Sequence, residues 1–233
     1  MQTVFHPASE RGVGEHGWLH TRFSFSFADW FNPNRMGFGA LRVLNDDIIE
    51  PEKGFDMHPH KDMEIITIVT DGVVAHRDSM GNTFTVSTGE VQVMSAGSGV
   101  IHAELNASRT ERLALFQLWI HPKITGVPPR YDQRAFRTNA KRTLLVSGDK
   151  SDGALFIHQN ARIWNAHLEK DELSSYDIQD NAHGVYFFVV AGKCMIAGSV
   201  LEARDAVGIW ETEKVEIHAE EDTRFLIIEV PME

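Results

Sequence analysis

The sequence predicts an all-β chain built as two β-barrel or jelly-roll modules with few short helices, on three observations. Apolar residues recur with period two. Short runs rich in Val, Ile, Thr and Phe are separated by Gly, Asp, Asn and Ser. One pattern of runs occurs twice. Phe23, Phe25 and Phe27 alternate with Ser24 and Ser26, as on a half-buried strand. The runs EIITIVTDG, TFTVSTG, EVQVMSAG, LALFQLWI, VYFFVVAG and FLIIEV follow, each of strand length. Amphipathic helical stretches are few, and the best candidate is a short helix within residues 129–137.

The repeat sets the domain organisation. VTDGV at 69–73 and VVAGK at 189–193 each end a strand at a glycine turn. STGEVQVM then lines up with ARDAVGIW, and IHAE recurs at 101–104 and 217–220. Two β-modules related by duplication explain this spacing. The stretch 121–141 carries three of the 8 prolines and several charges, which suits a connection over the surface. The expected division is an N-terminal module at 1–125, a linker at 126–142 and a C-terminal module at 143–233.

Composition narrows the partners. A length of 233 residues is enough to bury a real core. No apolar run approaches the ~20 residues that span a bilayer. The start MQTVFHPASERG lacks the features of a signal peptide, so a cytoplasmic protein away from membranes is expected. The net charge of −11 argues against direct nucleic-acid binding, which needs clustered Lys and Arg. The single cysteine, Cys194, excludes an internal disulfide and is expected to be a small buried hydrophobe. With no strong exposed apolar stripe in the sequence, a monomer is expected.

The chemistry concentrates in two segments. FDMHPHKDMEIITIVTDG carries His58, His60 and Glu64, at i, i+2 and i+6, which share one face of a continuous strand. SAGSGVIHAELN carries His102 and Glu104, again two apart. A lone HxH is weak evidence for metal. Two such motifs, each on a strand and flanked by glycine turns, can converge inside a barrel. Imidazole and carboxylate donors suit Fe, Mn, Ni, Cu or Zn, and an incomplete ligand set leaves positions for substrate or dioxygen. By phase alone, Glu64 and Glu104 are both candidates for the carboxylate. Gln117 and Trp119 lie two apart on a strand and are candidates to line the site or to fill the core. His6, His16, His20, His76, His121, His158, His167 and His183 lack ligand spacing and read as surface or hydrogen-bonded residues.

HPHKDMEIITIVTDG followed by GEVQVMSAGSGVIHAELN resembles the paired motifs of the cupin superfamily, and most closely the pirin family. GWLHTRFSFSFADWFNPNRMGFGALRVLNDD, HRDSMGN and LFQLWI resemble the same family, while the C-terminal module is similar to its degenerate second cupin. The resemblance implies a bicupin with one metal in the first barrel. It assigns the ligands to His58, His60, His102 and Glu104, and it leaves Glu64 outside that set, accepting the free N–H of a ligand ring. In the second module His218 and Glu220 lack an HxH partner. The repeat offset places that partner near Ile178 and Asp180, and no second metal is expected there.

The resemblance also implies function. Pirins resemble quercetin 2,3-dioxygenases, which open a flavonol ring with O2 and release carbon monoxide. One divalent metal ion, Fe(II) first and otherwise Mn, Ni, Cu, Co or Zn, would act as Lewis acid, with Glu104 as catalytic proton acceptor. The implied partners are a small phenolic or flavonol substrate and O2. A second reading is a metal- or redox-sensing regulatory protein without its own catalysis, as the eukaryotic pirin implies, with a regulatory protein partner. A third is another cupin reaction such as isomerisation or decarboxylation.

Overall fold

The computed structural model describes residues 1–136 and 140–232. Its strands up to the junction are β1 (Gln2–His6), β2 (Gly12–Glu15), β3 (Leu19–Phe23), β4 (Leu41–Ile49), β5 (Gly54–His60), β6 (Glu64–Asp71), β7 (Val73–Asp78), β8 (Thr83–Ser87), β9 (Glu90–Ser95), β10 (Val100–Asn106), β11 (Leu113–Ile120) and β12 (Arg130–Ala135). Beyond it run β13 (Arg142–Ser147), β14 (Leu155–Phe156), β15 (Arg162–Leu168), β16 (Leu173–Asp177), β17 (His183–Ala191), β18 (Cys194–Ile196), β19 (Ser199–Leu201), β20 (Ala206–Trp210), β21 (Lys214–Ala219) and β22 (Thr223–Pro231). Among the described residues the only helical segments are two three-residue 3-10 turns, at Ala8–Glu10 and Lys150–Asp152. No helix among them is long and apolar enough to cross a membrane.

Each module pairs a seven-stranded sheet with a four-stranded one. The first has orders β12-β9-β6-β11-β4-β3-β2 and β5-β10-β7-β8. The second has orders β1-β20-β17-β22-β15-β13-β14 and β16-β21-β18-β19. The orders correspond strand for strand from β9 to β4 and from β20 to β15, and again from β5 to β8 and from β16 to β19. This is the duplicated architecture that the repeat implied. The two IHAE segments fall on the equivalent strands β10 and β21.

Two strands cross between modules. β1, at the start of the chain, pairs with β20 in the second module. β12, in the stretch read as a linker, pairs with β9 in the first. The short helix expected within 129–137 is therefore a strand at Arg130–Ala135, and Arg137 lies outside the described residues. Its backbone groups are satisfied by the edge of β9, and that tertiary pairing outweighs a local helical pattern.

The largest core lies between the two seven-stranded sheets. Ile66, Val91, Val93, Phe116 and Leu118 of the first module meet Tyr186, Phe188, Leu226 and Ile228 of the second. The opposite faces of the same strands, such as Val185, Phe187 and Val189 on β17, fill the second barrel. Central strands with both faces buried need apolar residues at every position. This explains why EIITIV, VYFFVV and FLIIEV run continuously instead of alternating.

Polar groups lock the junction. Arg11 and Arg204, one from each module, both reach Asp46. Their guanidinium groups also lie over the Phe188 and Phe116 rings, which meet edge to face at 5.4 Å. His6, buried at the end of β1, places Nδ1 2.9 Å from the Tyr186 hydroxyl. Burial, and then the charge of Arg35, push the His6 pKa down to about 4.

Phe188→Ala would open a cavity in the shared core, and a loss of about 3–5 kcal/mol is expected in chemical denaturation. A loss below about 1 kcal/mol would mean that the modules are not coupled through this contact. His6 gives a signed pH effect. The unfolded chain takes up a proton near pH 6.5 while the folded chain resists until about pH 4. Stability should therefore fall as pH drops through that window. His6→Gln should flatten this part of a stability–pH profile, and an unchanged slope would refute the assignment.

Candidate metal centre

The site is built on the four-stranded sheet of the first module. β5 and β10 run antiparallel with His58 opposite His102 and His60 opposite Val100. β5 approaches β10 so closely at its start that a Cβ on Gly54 would sit 2.2 Å from the Glu104 carbonyl oxygen. Only glycine permits that contact. The ladder slips between His102 and Glu104, where β5 carries one extra residue against β10, and this bends β5 locally.

Three imidazoles converge. Ring centroids lie 4.8 Å apart for His58 and His60, 4.5 Å for His58 and His102, and 5.0 Å for His60 and His102. Their ligand atoms lie within 4.8 Å of one another. His58 Nδ1 is 2.7 Å from the Asp56 carbonyl oxygen. A carbonyl only accepts, so Nδ1 carries the proton and Nε2 keeps its lone pair. Burial, followed by the neighbouring His102 and His58, pushes the His60 pKa down to about 4. Burial, followed by His58 and His76, pushes that of His102 down to about 3. These rings are neutral at physiological pH, the form in which imidazole binds a metal.

Both ring nitrogens of His102 are buried without a hydrogen-bond partner. Such groups cost about 1–3 kcal/mol each when left unsatisfied. A divalent ion would satisfy at least one of them, and the convergent lone pairs are donors of the right type. The residues present fit such an ion.

Glu104 sits deeper, 3% exposed, and is held from the opposite sheet. Its Oε1 accepts from Gln92 Nε2 and from the Thr67 hydroxyl at 3.1 Å, and its Oε2 accepts from Gln117 Nε2 at 2.8 Å. Asn45, Gln117, Thr67 and Gln92 lie opposite one another across β4, β11, β6 and β9, so one polar row crosses the sheet beneath the carboxylate. Glu104 shares a donor cluster with His102 and His76, all within 4.8 Å of one another. The predicted set thus divides: His58, His60 and His102 form one group, and Glu104 joins through His102 in a second, overlapping group.

Glu64 is elsewhere. β5 ends at His60 and β6 begins at Glu64 in a different sheet, so the continuous strand that would keep them in phase does not exist. The Glu64 carboxylate accepts from Ser95 Oγ at 2.7 Å and faces His158 Nδ1 at 3.2 Å. Its burial raises its pKa, against the lowering effect of Ser95 and His158. The expectation that Glu64 accepts the N–H of a ligand ring gives way to a tie between the modules.

His76, read from sequence as an unremarkable histidine, is buried at the site, its ring 5.5 Å from that of His102. The available signal was the alternation of Val74, His76 and Asp78, all buried on β7. Trp119 stands edge-on to His60 at 4.9 Å and Gln117 holds Glu104, so both candidate lining residues are at the site. In the second module His218 lies opposite Leu173 and Met195. The equivalent of His58 is therefore Leu173, five residues before the expected Ile178, because β16 runs two residues further past this position than β5 does, the turn after it is two residues longer and β17 is one residue longer than β6.

Comparison with known proteins agrees with this architecture. The Pirin family model matches residues 5–120, and a model described as the quercetinase C-terminal cupin domain matches residues 144–230. The chain is 46% identical to the quercetin 2,3-dioxygenase of Escherichia coli strain K12 over 96% of each chain. It is 41% identical to a pirin-like protein of Caulobacter vibrioides, over 96% of this chain and 97% of the relative. The crystal structure of the bacterial pirin YhhW from Escherichia coli in complex with nickel(II) superposes with a TM-score of 0.94 at 45% identity, covering 99% of each chain.

Replacing Gln117 by Leu leaves Glu104 Oε2 without its donor. A loss of about 1.5–3 kcal/mol, the scale of a hydrogen bond to a buried charge, is expected in chemical denaturation. No measurable loss would mean that Gln117 does not hold the carboxylate.

Proposed function

The chain belongs to the pirin family of the cupin superfamily, and on that premise we propose that it is a metal-dependent dioxygenase that opens a flavonol ring with O2 and releases carbon monoxide. The observation that carries this reading is the convergence of three imidazoles, with the unpartnered nitrogens of His102 among them. We propose His58, His60, His102 and Glu104 as the ligands. The ion is divalent, in line with the relative's nickel(II) complex, and Fe(II) is the first candidate, because His and carboxylate sets with open positions suit non-haem iron oxygenases.

A flat aromatic substrate has a place on the far side of Trp119, whose ring meets His60. A pocket of about 400 Å³ there is lined mainly by Phe27, Trp30, Phe31, Met36, Met63 and Trp119, with Ser26, Arg42 and His121 as its polar groups. Its apolar walls would hold the rings and keep water from the reacting face. Glu104 would take the proton of the substrate's acidic hydroxyl. Its Oε2 carries one donor, Gln117, while Oε1 carries two, so Oε2 has acceptor capacity in hand. Gln92, Thr67 and Gln117 fix its position through the transfer. When bound, the metal supplies Lewis acidity toward that hydroxyl and a redox-active partner for dioxygen.

Metal-loaded protein with quercetin should show O2-dependent loss of the flavonol absorbance, matched by O2 uptake and CO release. Chelation should stop it. His58→Ala or Glu104→Ala should lower the rate by more than about 100-fold, since losing a ligand exceeds the 10–100-fold typical of the groups that support one. Folded, metal-loaded protein that consumes no O2 with quercetin would sink the reading.

A further inference from the structure

The buried pair His76 and Asp78 is not used by the four-ligand reading, yet it faces the same centre. His76 lies opposite Glu104 on the β7–β10 ladder, and Asp78 lies opposite His102. Both side chains of the pair are fully shielded from solvent. His76 Nε2 is 3.2 Å from Asp78 Oδ2. Asp78 is itself held, its Oδ1 accepting from the backbone N–H groups of Met80 at 2.9 Å and Asn82 at 3.1 Å, and its Oδ2 from Asn82 Nδ2 at 2.8 Å. A carboxylate accepts, so the proton of His76 is on Nε2 and its Nδ1 is a lone pair. That Nδ1 is buried and has no hydrogen-bond partner. Tyr131 of β12 covers the ring at 4.5 Å and is in turn stacked on Phe84.

An imidazole with one nitrogen donating to a fixed carboxylate, and the other a buried, unpartnered lone pair, has the arrangement of a supported metal ligand. His76, His102 and Glu104 also bring their ligand atoms within 4.8 Å of one another, and all three are buried. Two histidines and one carboxylate make a three-ligand set that leaves coordination positions open.

We infer that His76 is a metal ligand, and that with His102 and Glu104 it forms an inner position overlapping the outer one proposed above, made by His58, His60, His102 and Glu104. The inference rests on the metal-centre reading above. An ion in the inner position would be held by His76 in place of His58 and His60, with His102 and Glu104 common to both positions. Because both positions use His102, one ion occupies one or the other. Asp78 positions His76 and does not touch the ion.

Cobalt(II) is the probe, followed by its visible absorption and by equilibrium titration of apo-protein, with circular dichroism as the check on folding. Wild-type protein should bind one equivalent. His58→Ala/His60→Ala should still bind one equivalent, more weakly and with an altered spectrum. Adding His76→Phe should abolish this residual binding, and adding Asp78→Asn instead should weaken it about 10–100-fold. If the folded double variant binds no cobalt while wild type does, there is no inner position. Residual binding that survives His76→Phe equally overturns it. Failure of wild type to bind would instead overturn the metal-centre reading itself. Should the double variant not fold, His60→Gln with and without His76→Phe serves in its place. An equal cobalt affinity of those two folded proteins would overturn the inference.

Discussion

The first barrel depends on one constraint: a carboxylate buried away from water must be met by donors. Glu104 is met by Gln92, Thr67 and Gln117, which reach it from three adjacent strands of the opposite sheet. Those hydrogen bonds tie the four-stranded sheet that carries the histidines to the seven-stranded sheet that faces the second module. They fix where β10 lies, and hence where His102 stands relative to His58 on β5. A polar row inside a barrel is stable only when its members satisfy one another, and a partly satisfied one is worse than an apolar core. The unpartnered nitrogens of His102 and His76 stand out against that background.

The second barrel shows the alternative solution. Phe187 lies opposite Ile227 on one side and Val207 on the other, and Ile227 lies opposite Trp164. Where the first barrel carries Thr67, Gln117, Gln92 and Asn45, this row is apolar throughout except for the Trp164 indole N–H. Its interior packs as an aliphatic and aromatic core. The duplicated architecture is thus used once for a polar, histidine-bearing interior and once for packing. The modules are held as one body by their shared core, by Arg11 and Arg204 on Asp46, by β1, which completes the second module's large sheet, and by β12, which runs from the junction to complete the first module's.

The crossing strands also bear on the site. β12 supplies Tyr131, whose ring covers His76 and whose hydroxyl lies 3.1 Å from Gln92 Oε1. A segment that reads as a connection by its prolines and charges therefore closes one wall of the barrel. Glu64 plays a related part, since its partner His158 comes from the second module and ties the start of β6, in the seven-stranded sheet, to that module.

The sequence by itself determined the all-β class, the duplication and the histidines that converge, because each is written in local pattern. Period two marks strands, glycine marks turns, and HxH two apart puts both rings on one face of whatever strand holds them. Tertiary structure alone decided what depends on which strands lie side by side. The phase of Glu64 with His60 was lost because the chain turns into another sheet between them, and phase does not survive a turn. The support of Glu104 by Gln92, Thr67 and Gln117 arises from residues 12, 37 and 13 positions away, brought together by register alone. His76 had no spacing to mark it, since its companions His102 and Glu104 come from the paired strand β10. Its place in the site is a property of that pairing, not of its own segment.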